Sequence, residues 1–179
     1  MKRNEGLTLI ELVVIIAIIT VLISVVGISV TVISRQKVSN AVEDVKVLFQ
    51  TAQTIAMSKD NCHIAISQNS DRETVFTLYS STDNLVLNRV TVNRKVSVYI
   101  IASGSSTKNK ISDVDVVRIY YDRVSGSFSD MYWVGPTTLS NGSTKGDIVP
   151  GGITDIIFSN DTSSEITLKL TKLTGRVSY

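Results

Sequence analysis

An α+β chain, one long N-terminal helix carrying a small antiparallel β head, is the fold class that this 179-residue sequence predicts. Three observations predict it. No charged residue interrupts Leu12 to Ser34, an apolar stripe at helical spacing continues to Ile55, and beyond residue 61 the pattern changes to period two between turn-forming clusters. The content beyond the apolar run is rich in Ser, Thr, Asn and Val, with only two prolines in the chain, which suits strands. The net charge of +2 selects no partner by itself. A single cysteine, Cys62, excludes an internal disulfide.

The run from Leu12 to Ser34 would be about 35 Å long as a helix, enough for the roughly 30 Å hydrocarbon layer of a bilayer. Its Val and Ile residues are weak helix formers in water, but in lipid the backbone must satisfy its own hydrogen bonds. A cleaved secretory signal fits poorly, because its apolar core is shorter and ends at a small-residue cleavage site. A plain signal anchor accounts for the length, and for the orientation with Lys2 and Arg3 left in the cytoplasm. It does not account for Glu11. A carboxylate within a bilayer costs roughly 2.5–3.5 kcal/mol and marks function.

The stretch Gly6-Leu7-Thr8-Leu9-Ile10-Glu11 resembles the processing motif of type IV pilins and type II secretion pseudopilins. The resemblance implies that a prepilin peptidase cuts between Gly6 and Leu7 and methylates the new amine of Leu7. Glu11 then becomes the fifth mature residue, a helical turn from a cationic terminus. In a helical stack the Leu7 amine of one chain meets Glu11 of its neighbour. A buried charge strongly prefers a partner, so the pair favours assembly and sets register. The resemblance further implies a pilin fold: leader 1–6, transmembrane helix 7–34, amphipathic extension 35–60 and head 61–179. Other pilin subunits and the lipid bilayer are its partners. Its place is the cell membrane, with the head outside the cytoplasm.

In the extension, Val38, Ala41, Val45, Leu48, Ala52 and Ile55 share one face, widened by Val42, Phe49 and Ala56. This stripe reads as core packing, ending near Ser58. Candidate strands follow at His63–Ser67, Thr74–Ser80, Leu85–Val92, Val96–Ile101, Val116–Tyr121, Ser127–Trp133, Ile153–Ser159, Glu165–Thr171 and Arg176–Tyr179. Gly135 to Gly152 holds both prolines and reads as a long surface loop.

The junction Thr54 to Ile66 and the ending Ile166 to Val177, with its Gly175-Arg176, are similar to those of GspH/FimT-type minor pseudopilins. Major pilins often kink the helix at a proline and close a C-terminal loop with a disulfide. Neither feature is available here, which points to a minor subunit.

No catalytic constellation is legible, and the expectation is a non-enzyme without metal or cofactor. Cys62 and His63 are neighbours on a strand, so their side chains take opposite faces and cannot act as a nucleophile–base pair. Two ligands also fall short of a structural zinc site. Ser105-Ser106-Thr107-Lys108 spells S-x-x-K in a loop without its partner motifs. A membrane-tethered hydrolase would need His63 to be essential.

Charge is unevenly placed. Arg89 to Arg123 holds seven cations against three carboxylates, whereas Val124 to Glu165 holds one lysine against five. An ordinary mixed surface accounts for this. A sharper alternative is a basic face that meets an acidic neighbour or DNA phosphates. Some FimT-like minor pilins take up DNA through basic residues near the closing Gly-Arg. By that resemblance Lys169, Lys172 and Arg176 are candidate DNA contacts, unless Arg176 is held by a carboxylate such as Glu165.

Overall fold

The computed structural model describes residues 8–58, 61–80, 85–134, 148–149, 151–160 and 164–179, apart from the side chains of 24–31, 33 and 34. Helix α1 (Leu9–Met57) is continuous over 49 residues, on the order of 70 Å. Thr8 is its N-cap and Ser58 its C-cap, with the Ser58 N–H returning to the carbonyls of Thr54 and Ile55. The helix passes through the stretch with Ser24, Gly27 and Ser29 without a break.

The second half of α1 enters the head along the expected stripe. Val38, Val42, Val45, Leu48, Phe49, Ala52 and Ala56 are buried, while Ala41 and Ile55 are partly so. Burying such aliphatic and aromatic side chains contributes roughly 1.5–3 kcal/mol for each large one. This explains why a β-branched-rich segment stays helical here: tertiary burial outweighs its modest propensity. Polar side chains lock the contact. The Tyr121 hydroxyl donates to the Phe49 carbonyl at 3.0 Å, and Gln53 Nε2 donates to the carbonyls of Gly126 and Thr174 at 3.1 and 2.7 Å.

Ten strands follow: β1 (Cys62–Gln68), β2 (Thr74–Ser80), β3 (Val86–Val92), β4 (Val96–Ala102), β5 (Asn109–Lys110), β6 (Val116–Tyr121), β7 (Phe128–Val134), β8 (Ile153–Asn160), β9 (Glu165–Thr171) and β10 (Arg176–Ser178). All pair antiparallel, in two five-stranded sheets ordered β3-β2-β1-β6-β7 and β10-β9-β8-β4-β5. Alternation along β4, with Val96, Val98, Ile100 and Ala102 buried, shows one face turned to the core. Phe76 of the first sheet stacks on Phe158 of the second at 6.0 Å, and α1 packs on both sheets.

The expected strands are all present, three of them with the expected bounds. The added element is β5, a two-residue strand opposite Tyr99 and Ile100, too short to show any period. Within the expected loop, Ile148 bridges Tyr132 and the Val149 N–H donates to the Met131 carbonyl, covering the β7 edge. Most of that loop, 135–147 and 150, lies outside the described residues.

Candidate functional site

Gly6 and Leu7, the expected processing positions, lie outside the described residues. Glu11 lies within them, in the first turn of α1. The Thr8 N–H and hydroxyl both donate to Glu11 Oε2 at 2.9 Å, and the Glu11 N–H donates to Thr8 Oγ1 at 3.4 Å. This is a capping box, which satisfies donors that a helix start leaves orphaned. The signal for it, Thr8-x-x-Glu11 ahead of an apolar run, lies in the sequence itself. Glu11 therefore has intrachain partners as well as whatever another chain supplies.

Around Glu11 the apolar residues from Leu9 to Ile23 are exposed on every side of the helix. Among the described residues no helix is long and apolar enough to cross a membrane. The expected span 12–34 falls only partly among described side chains, so it stays a reading of the sequence.

At the other end of the chain, Lys169, Lys172 and Arg176 are all exposed. Arg176 pairs with Thr171 and Ser178 with Lys169, which puts Lys169 and Arg176 on one outward face while Leu170 and Val177 turn inward. Asp155 lies across from Lys169 on β8. Lys172 sits in the intervening turn, its carbonyl accepting the Phe128 N–H. The suggested Arg176–Glu165 contact is corrected. Glu165 stands at the far end of β9, about 20 Å along the strand, and grips Lys108, with Nζ 2.8 Å from both carboxylate oxygens.

Gly175 has a role the sequence did not reveal. It has φ +62, and a Cβ there would lie 1.9 Å from the Gly126 carbonyl oxygen. Gln53 reaches that same carbonyl. The glycine lets the β9–β10 and β6–β7 turns close on α1, a packing reason for the Gly-Arg ending. The C-terminus is fastened beyond it, since the Tyr179 hydroxyl donates to Glu43 and Lys46 lies over the Tyr179 ring.

Cys62 and His63 take opposite faces, as expected. Cys62 is buried against α1, its thiol donating to the Ala52 carbonyl. His63 lies on the far face between Tyr79 and Tyr120, with ring centroids 5.2 and 4.8 Å away. Burial and then the Arg118 guanidinium hold its pKa below the ordinary histidine value. Ser105 and Lys108 lie off any helix, and Lys108 is spoken for by Glu165. No cluster of metal-ligating side chains occurs among the described residues.

Residues 1–27 match the prokaryotic N-terminal methylation motif. No curated protein and no solved structure matches the chain. The motif supports a type IV pilin-like or pseudopilin structural subunit. It implies processing by a prepilin peptidase and assembly with other pilins. The α+β architecture is consistent with a pilin-like head on its helix.

Proposed function

We propose that this chain is a minor pilin or pseudopilin of the GspH/FimT type, without enzymatic activity, and a structural subunit of a membrane-anchored filament. One observation carries the reading: the motif at 1–27 opens a helix whose described side chains from Leu9 to Ile23 lie exposed and whose second half packs into the head's core. In this reading Gly6–Leu7 is cut by a prepilin peptidase and Leu7 is methylated. Residues 7–34 hold the chain in the bilayer before assembly. Glu11 then meets the Leu7 amine of the adjacent subunit. Mass spectrometry of the native protein tests it. The expected N-terminus is Leu7, heavier by one methyl group, and an intact Met1 or a cut beyond residue 25 would contradict it.

A second reading, a tip subunit that holds DNA, is favoured by the shared outward face of Lys169 and Arg176. It predicts duplex binding by the full chain in dodecyl maltoside with a log–log salt slope near −3 for three phosphate contacts. The scaffold reading predicts no binding at about 0.1 M salt.

A further inference from the structure

We propose that the open end of the β sandwich binds an oxyanion, a terminal phosphate or sulfate on a ligand of sugar size. Three cations from separate parts of the sequence line one cleft of about 470 Å³ there: Arg72 from the β1–β2 turn, Arg94 from the β3–β4 turn and Lys110 from β5. Gln68, Thr74 and Ser97 supply polar walls, and no carboxylate lines the cleft among the described residues. Among the described residues the observed ion pair is Lys108–Glu165, and none of the three cations pairs with a described carboxylate. Two acids stand beside the cleft, Glu73 next to Arg72 in sequence and Asp115 bonded to the wall residue Ser112. Asn69 Nδ2 donates to Glu73, and Asp115 accepts from the Ser112 N–H and hydroxyl.

The two arginines are held on fixed turns. Asn69 Oδ1 accepts from the N–H groups of Asp71 and Glu73, and Gln68 donates to the Arg72 carbonyl, which keeps Arg72 at φ 62. Asn93 organises the second turn through the N–H groups of Lys95 and Val96. Converging like charges repel unless an anion joins them, and guanidinium forks match the paired oxygens of phosphate and sulfate. The volume falls within the range of small-ligand sites, larger than the oxyanion alone needs. Among the described residues no aromatic ring lines the cleft, so it offers no platform for base stacking, the usual grip on single-stranded nucleic acid.

Calorimetric titration of the full chain in dodecyl maltoside with inorganic pyrophosphate tests this. One saturable site is expected. Arg72→Gln, Arg94→Gln and Lys110→Gln should each weaken it about tenfold or more, as loss of a charge-assisted hydrogen bond does. Arg94→Lys should lose less, and Arg118→Gln and Lys169→Gln should leave it within about twofold. A rise in melting temperature with pyrophosphate should disappear in the same three variants, which all keep the unliganded melting temperature because the side chains are exposed. Glucose 6-phosphate against glucose 6-sulfate then shows which oxyanion is preferred. No saturable site, a site unchanged in the three variants, or binding of a 5′-hydroxyl oligonucleotide without pyrophosphate binding would overturn the proposal.

Discussion

The two halves of helix α1 share one backbone and live by different rules. Ile19 in the first half is 48% exposed and Val45 in the second is fully buried, although both are β-branched residues on the same continuous helix. The second half has its partner in its own chain: two sheets, a tyrosine hydroxyl and a glutamine clip. The first half is apolar apart from Glu11 and a few small hydroxyl side chains, and its described side chains from Leu9 to Ile23 lie exposed. One continuous helix therefore holds a buried apolar segment and an exposed one, with the boundary set by sequence pattern rather than by any break in the helix.

The sharpest contrast is between truncations in the two halves. Phe49→Ala removes a fully buried ring that meets Phe128 edge-on, and should cost about 3–5 kcal/mol in thermal unfolding of the head. Ile19→Ala should change the same transition by less than about 0.5 kcal/mol. Equal effects would erase the division. Gly175→Ala should cost upwards of about 3 kcal/mol, because a Cβ collides with backbone rather than with a movable side chain and φ is left-handed. A mild effect would return Gly175 to the status of a simple turn residue.

Smaller effects refine the clamp. Gln53→Ala leaves two carbonyls without their donor and should cost about 1–2 kcal/mol. His63 adds a titration within the head. Its folded pKa is depressed, so the neutral ring is the one the fold accepts. Its contribution is then fully present above the unfolded value near 6.5 and is lost as pH falls through the lower folded value. Melting temperature should drop between pH 7.5 and 5.5, and His63→Phe should flatten that drop. An unchanged slope would mean other groups carry it.

How much of this was legible follows the range of each interaction. The stripe Val38 to Ala56 and strands such as β2, β6 and β9 announce themselves through local period, and the motif ending at Glu11 is contiguous. Pairing order is not local. Nothing near His63 in sequence says that β1 lies between β2 and β6, so the stacking with Tyr79 and Tyr120 stayed hidden. The same holds for Arg72, Arg94 and Lys110, which the fold gathers from three places, and for Gly175 against Gly126. Uneven charge was visible along the chain, but its largest concentration divides in space: Lys108 pairs with Glu165, Arg118 faces His63, and Arg94 with Lys110 enters the cleft.

Glu11 separates the two halves most directly, because it has both a capping role and a charge. Glu11→Gln keeps a side-chain oxygen for Thr8 and removes the charge, whereas Glu11→Val removes both. Processing at Gly6–Leu7 and membrane insertion should survive in each variant, read by N-terminal mass and membrane fractionation. Incorporation into the recovered filament should fall sharply and alike in both, since the neighbour's Leu7 amine has lost its partner. Wild-type incorporation of Glu11→Gln would reduce Glu11 to a helix cap and contradict the intersubunit charge pair.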